Sequence, residues 1–256
     1  MKIETISPTA KLSNIVKCYW TLEKGKGTHR ERLYPCGESQ IIFHYGNPFK
    51  EIYGNNIITQ PQSIVCSQMT TYKDVIADDS AGLFGIIFHS YAIGSFLHIP
   101  PHELLQHSFN LNDANKIFES LEDKISNAAD ANERIKVFEE FLIKRINMPK
   151  NYYFNIIKDS VEFFETSVNC PSIKQIAGKY SLSERQFERI FKDYVGLPPK
   201  SFAEIMRFKR AFFSLKKHND LTKISYSSGY YDQSHFIRTF KKLSGYTPGE
   251  FLKLHR

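Results

Sequence analysis

Two stretches of this 256-residue chain decide its fold: Phe187–Pro199, FERIFKDYVGLPP, and Phe236–Pro248, FIRTFKKLSGYTP. Both fit F-x-R-x-F-K-x-x-x-G-x-x-P at an offset of 49 residues, with six identical positions in thirteen. A repeat of that kind, punctuated by Gly and Pro, marks a duplicated supersecondary unit. In each copy the phenylalanines stand four apart, the period of one helix face, and Gly196 and Gly245 stand where helix C-caps are expected.

What precedes each copy corresponds as well. Ser172 with Gln175, and Ser183 with Gln186, have capping-box spacing, so two helix starts stand eleven residues apart. That leaves room for a two-turn helix and a tight turn. Ile173, Ile176, Ala177 and Tyr180 line one face of the first helix, and Phe187, Ile190, Phe191 and Tyr194 line one face of the second. This is a helix-turn-helix layout. Ahead of the second copy, Leu221 and Ile224 mark the supporting helix, Ser225 takes the place of Ala177, and Gly229 marks a turn with one extra residue. The second recognition helix is expected over about Asp232–Leu243, burying Phe236 and Phe240. Between the units, Pro199–Lys217 reads as one long helix with Phe202, Ile205, Met206 and Phe213 facing inward. At 1.5 Å per residue it spans about 27 Å, near the ~34 Å between successive major grooves on one DNA face.

In such a unit the second helix enters the major groove by its N-terminal half. The residues opposite the buried stripe are Arg185, Gln186, Glu188 and Arg189 in the first unit, and Gln233, Ser234, His235 and Arg238 in the second. Arg bonds guanine bidentately and Gln bonds adenine, so these types suit base readout. Lys192, Lys241 and Lys242 lie further along and suit phosphate contacts. Two alternatives stay open on the residues alone: Arg189 and Arg238 as salt-bridged structural residues, and His235 packed within its own unit. Charge points the same way as the motif. From Asn151 onward 18 Lys/Arg stand against 10 Asp/Glu, whereas residues 1–150 hold 16 against 17. The net charge of +7 therefore belongs to the C-terminal part, as expected of a domain facing a polyanion.

The first 110 residues read differently. Gln40–Tyr45, Ile57–Ile58, Ser63–Cys66 and Leu83–His89 are short runs of β-formers, separated by turn-formers such as Pro35-Cys36-Gly37 and Gly46-Asn47-Pro48. That spacing predicts a small barrel or sandwich. From Asp113 to Ile146 apolar residues fall at helical intervals, interrupted at Asn127–Asn132. Those helices pack on the β domain, connect the domains or dimerise, and the sequence leaves the three open. The expected fold class is α+β: a β-barrel or sandwich-like sensor domain over 1–112, a helical linker and candidate dimerisation region over 113–149, and an all-α domain with two helix-turn-helix units over 150–256.

Other classes are disfavoured. Hydrophobic residues at 41% and charged residues at 24% are the balance of a soluble globular protein. No run approaches the ~18 apolar residues of a membrane helix. MKIETISPTAKL lacks the apolar core of a signal peptide, so the expected location is the cytoplasm. Cys18, Cys36, Cys66 and Cys170 form no CxxC pair, and Pro100-Pro101 break the helix that would align His98 with His102. No metal and no cofactor are expected. Cys36 is the one tempting nucleophile, but no GxSxG or local Ser/His/Asp pattern accompanies it, so no enzyme is expected. Trp20, Tyr34, Phe43, His44 and Tyr45 lie in or beside predicted strands; they either line a pocket for a small organic ligand or are plain core.

Over about Tyr153–Leu254 the chain resembles the AraC/XylS family of bacterial transcription regulators. The residues that carry this are SIKQIAGKYSLSERQFERIFKDYVGLPPKSFAEIMRFKRA in the first unit and ISYSSGYYDQSHFIRTFKKLSGYTPGEF, Ile224–Phe251, in the second. Ser225 replaces the usual alanine, and Gly249 stands where helix-starting polar residues are common. The resemblance implies a seven-helix DNA-binding domain, promoter binding on double-stranded DNA through the two recognition helices, and contact with RNA polymerase. It also implies a small-molecule effector sensed by an N-terminal β-barrel and a homodimer formed through nearby helices. YPCGESQIIFHYGNPF and CSQMTTYKDVIADDSAGLFGIIFHSYAIGSFLHIPPHELL are similar to an uncharacterised N-terminal domain of some members, and no ligand residues carry over. The expected function is a ligand-responsive transcription regulator, an activator in preference to a repressor. The alternatives are an effector-independent architectural protein with a dimerising N-terminal domain, and a DNA-repair enzyme using Cys36.

Overall fold

The computed structural model describes residues 2–106, 108–168 and 172–254; Cys170 lies outside them. The chain divides into two compact units. One comprises Met1–Leu33, Glu38–Ser67 and Lys73–Pro149, the other Tyr34–Gly37, Gln68–Tyr72 and Lys150–Arg256.

The first unit is built on two antiparallel sheets. Strands β1 (Lys2–Ile6), β2 (Val16–Lys24), β9 (Ala81–Phe88), β4 (Ser39–His44), β7 (Ser63–Cys66) and β10 (Ser108–Asn110) form a six-stranded sheet in that order. Strands β3 (His29–Leu33), β8 (Lys73–Ala77), β5 (Lys50–Tyr53) and β6 (Asn56–Thr59) form a four-stranded one. Side chains alternate across a strand, so the larger sheet has two distinct faces, and both are buried along its central strands. On one face Tyr19, Phe43 and Phe88 surround Phe138 at ring distances of 6.3–6.4 Å. Phe138 comes from helix α4 (Ala131–Arg145), which packs there with α1 (Ile93–Leu97) and α3 (Ile117–Asn127) through Phe96 and Phe118. A short α2 (Leu111–Ala114) leads into α3. On the other face Leu22, Ile42, Ile64, Ala81 and Leu83 cluster with Trp20, Phe49 and Cys66. The helical stretch foreseen over residues 113–146 thus covers a sheet, and its break falls at Ala128–Asp130.

The second unit holds seven helices among its described residues: α5 (Tyr152–Thr166), α6 (Ile173–Lys179), α7 (Glu184–Val195), α8 (Pro199–Leu215), α9 (Leu221–Ser227), α10 (Gln233–Ser244) and α11 (Pro248–Leu254). Their starts are chemically marked. Asn151, Ser172, Ser183, Asp220 and Asp232 each accept a backbone N–H with a side-chain oxygen, at a helix end that has no other acceptor for it. Thr247 and Glu250 cap α11 reciprocally at 2.7 and 3.2 Å, and the bonds that the Glu250 carboxylate accepts from the Thr247 N–H and hydroxyl hold its pKa below the ordinary value.

Two expectations are corrected here. Ser172 and Gln175 make a complete capping box, but Ser183 and Gln186 make only half of one. The Gln186 amide turns instead toward the Tyr153 hydroxyl of α5, 3.4 Å away. Phe213, read as inward, is 53% exposed. The reason lies in α8, whose first half buries Phe202, Ala203 and Met206 and whose second half buries Phe208, Ala211 and Leu215. At about 100° per residue those sets lie on nearly opposite sides of the helix. Phe213 continues the first stripe past the point where its partners end.

Candidate nucleic-acid interface

The repeat in the sequence is a repeat of core geometry. In the first unit Phe187, Phe191 and Phe202 form a ladder, with Phe187–Phe191 at 5.8 Å and Phe191–Phe202 at 5.6 Å. In the second, Phe236, Phe240 and Phe251 stand at 5.7 and 5.6 Å. All six rings are fully buried. The recurrence therefore extends three residues beyond the thirteen-residue motif, to Phe202 and Phe251, a pair the motif did not include. Gly196 and Gly245 close the recognition helices in the left-handed conformation, at φ of 89° and 79°. Pro199 and Pro248 then open the next helix in each copy.

The two turns differ by one residue, which the backbone locates. Leu182 N–H donates to the Ala177 carbonyl at 3.0 Å, and Tyr230 N–H donates to the Ser225 carbonyl at 3.2 Å. Leu182 and Tyr230 are thus equivalent, as are Ser181 and Gly229, both with positive φ (55° and 88°). Leu182 is followed at once by the capping Ser183, whereas Tyr231 intervenes between Tyr230 and the capping Asp232. The inserted residue is Tyr231, and it is 90% exposed. Tyr230 turns inward instead, 5.1 Å from Phe236, and burial pushes its phenol to a higher pKa against the pull of Arg207.

The reading faces lie outward. Arg185, Glu188, Arg189 and Lys192 of α7 are exposed, as are Gln233, Ser234, Arg238, Lys241 and Lys242 of α10. Arg189 and Arg238 take part in no ion pair among the described residues. His235 is half-buried, with its ring edge-on to Tyr230 at 5.4 Å, so it packs within its own unit. Gln186 is half-buried against Tyr153. Lys242 pairs with Glu204 of α8 at 3.2 Å, which leaves Lys192 and Lys241 as the less encumbered cations. Ile237, which the motif treats as a variable position, shares the outer face of α10.

Comparison with known proteins agrees with this geometry. The family described as "Helix-turn-helix domain" matches residues 176–254, and a "Domain of unknown function (DUF6597)" matches residues 4–110. The "Probable transcription factor PqrA" of Proteus vulgaris is 31% identical over 101 residues, covering 38% of this chain and 83% of PqrA. The chain belongs to the AraC/XylS family. Another similar member is the "HTH-type transcriptional activator RhaS" of Escherichia fergusonii, 32% identical over 80 residues. That match spans 31% of this chain and 29% of RhaS. Among solved structures, ToxT of Vibrio cholerae is similar with a TM-score of 0.48 at 14% identity, over 90% of this chain and 99% of that one. Two departures from the AraC/XylS pattern now have a setting. Ser225 is buried, and its hydroxyl donates toward the Asp232 carbonyl at 3.5 Å, bracing the longer turn. Gly249 has open space where a Cβ would stand, so the polar residues usual in AraC/XylS members would fit there.

Of the five side chains considered for a ligand pocket in this AraC/XylS member, four belong to the first unit, where Phe43 and His44 point to opposite faces of the larger sheet, and one belongs to the second. Trp20 lies across Gly85 and donates to Gln40 Oε1 at 3.2 Å. Phe43 is core beneath α4, while His44, the next residue, points to the opposite face beside Phe49. Tyr45 stacks under the Arg134 guanidinium at 3.8 Å. Tyr34 belongs to the second unit, its ring 4.8 Å from Phe212 and 6.2 Å from Phe251. Cys36 shares that segment and is half-buried. What the first unit does hold is a cavity of about 340 Å³ lined by Glu51, Tyr53, Ile58, Thr59, Gln60, Pro61 and Ser108. At its floor the buried Glu51 carboxylate accepts from Ser108, Tyr53 and Gln60 and pairs with Lys73 Nζ at 3.1 Å. Burial raises its pKa, but those bonds and the ammonium more than offset this and leave it below the ordinary value. Nothing in the sequence flags this cluster, because its members come from four strands and a loop. Among the described residues no group of three or more His, Cys, Asp or Glu gathers as a metal site, and no helix is long and apolar enough to cross a membrane.

Proposed function

We propose that this chain is a sequence-specific DNA-binding transcription regulator, an activator, that reads two adjacent major-groove segments with α7 and α10. The observation that carries the reading is the duplicated Phe ladder, which presents two recognition helices with basic and amide side chains outward. Arg185, Glu188 and Arg189 in one helix, and Gln233, Ser234 and Arg238 in the other, reach bases. Lys192 and Lys241 hold phosphates, with Lys242 joining them when it leaves Glu204. Gln186 serves mainly through Tyr153, and His235 through its packing. Helix α8, with 17 residues, spans about 26 Å and sets the two units apart on a scale suited to successive grooves. RNA polymerase, and a second copy of this chain, are the protein partners this reading implies, in the cytoplasm. The 340 Å³ cavity of the first unit is the place for a small-molecule effector.

Selection of binding sites from random duplex DNA with the full chain tests the reading, repeated with Arg185→Ala and Gln233→Ala. The expected outcome is an enriched site with two parts about one helical turn apart, each variant relaxing one part. Binding without enrichment, tracking salt alone, would sink it. Operator affinity that no small molecule alters, while the site itself is enriched, would leave an effector-independent DNA-binding protein.

A further inference from the structure

Resting on the DNA-binding reading above, a second layer of specificity is visible on α10. At about 100° per residue, Ser234, Ile237, Arg238 and Lys241 fall within roughly 100° of arc, opposite the buried Phe236, Phe240 and Leu243. Ile237 is therefore on the face that meets the groove, beside Arg238, and it stays 36% exposed. Its χ1 is confined in a helix by β-branching, so its methyl groups project in a fixed direction. The repeat makes the contrast plain, because the equivalent residue of α7 is Glu188, a pure acceptor. Glu accepts from the cytosine amino group, whereas an aliphatic side chain has one specific complement in the major groove, the C5-methyl of thymine.

We propose that Ile237 reads a thymine methyl in the groove segment held by the second unit, between the polar contacts of Ser234 and Arg238. The two units then prefer chemically different base pairs at equivalent positions. The bound site is asymmetric, and a single chain has a defined direction on it.

The test uses the site selected by the full chain, with each thymine replaced in turn by deoxyuridine, which removes the methyl and keeps the pairing. One replacement, in the part of the site that Gln233→Ala relaxes, is expected to weaken wild-type binding about fourfold, the worth of one buried methyl-sized group. Ile237→Ala should bind the two duplexes alike, Ile237→Val should still tell them apart, and Arg185→Ala should keep the full effect. Wild-type binding indifferent to deoxyuridine throughout that part would overturn the inference while leaving the DNA-binding reading intact. So would an Ile237→Ala variant that still discriminates. If no site is enriched at all, the reading beneath it fails and the inference falls with it.

Discussion

The two helix-turn-helix units share an interior and differ at their edges. Ring distances along the two Phe ladders agree within 0.1 Å, and both copies close on a left-handed Gly and reopen on a Pro. Yet the turn that launches each recognition helix is different. The first uses Ser181 at positive φ, then Leu182 and a serine cap; the second uses Gly229, then Tyr230, the inserted Tyr231 and an aspartate cap. The lesson is that close packing constrains the duplicated core, because rings in contact leave no slack. The turn and the outer helix face carry no such constraint, and it is there that the two copies are fitted to different work.

The largest expected effect tests the shared part. Phe187→Ala and Phe236→Ala should each destabilise the second unit by about 3–5 kcal/mol in urea unfolding, since each leaves a ring-sized cavity. Unequal losses, with one variant barely affected, would break the equivalence of the ladders. Next come the turns. Gly229→Ala should cost about 1–3 kcal/mol, because an L-residue is strained at that φ and its Cβ would stand 2.6 Å from the Val168 carbonyl oxygen. Ser181→Gly, by contrast, relieves strain at an equivalent φ while adding unfolded-state freedom, so a change within about 1 kcal/mol is expected. A Gly229→Ala variant as stable as the parent would remove the distinction. Smaller still is the contrast between Leu182 and Tyr231. Leu182 has the spacing of a hydrophobic staple with Phe187, and Leu182→Ala should cost about 1 kcal/mol. Tyr231→Ala should change stability by less than about 0.5 kcal/mol, yet weaken DNA binding measured by fluorescence anisotropy. Unchanged affinity would make Tyr231 an idle insertion.

The gentlest effect separates the first unit from the second. Burial holds the His44 imidazole below its ordinary value, against hydrogen bonds at Gln62, Gln60 and Pro61. As pH falls from 7 toward 5 the unfolded chain therefore takes up this proton before the folded one does. The folded state loses stability in that window, and the contribution is complete above His44's ordinary pKa. Thermal unfolding of the first unit should show this slope, and His44→Phe should flatten it; an equal slope in the variant would assign the pH response elsewhere.

How much of this was legible in the residues follows from the range of the interactions. The helix starts were readable because a capping oxygen and the backbone N–H that donates to it lie three residues apart, as Ser172 and Ser183 show. The strands Ser63–Cys66 and Leu83–His89 announced themselves by composition, but β3, with the sequence HRERL, did not. Its pairing partner β8 lies 40 or more residues away, and Asp74 answers Arg30 and Arg32 only across the sheet. The Glu51–Lys73 pair was invisible for the same reason. Phe213 misled because a single helical period was assumed for a helix that changes neighbours half-way along. On the candidate interface, the exposed Arg and Gln residues followed from the period, whereas the roles of Gln186 and His235 depended on Tyr153 and Tyr230, which local spacing does not reveal. Ile237 was overlooked because apolar residues were assigned to the interior.

The two-sided burial of α8 has a further consequence for how the protein can be taken apart. A helix that completes one Phe ladder with Phe202 and supports the next with Phe208, 5.0 Å from Phe240, cannot be allotted to either helix-turn-helix unit. A fragment ending before α8 would lose the third rung of its ladder, and one beginning after it would expose Phe240. Each half would be left with a hydrophobic face and no cover. The pair is therefore expected to melt as one cooperative block, and a chain truncated between the two units to lose the fold of both.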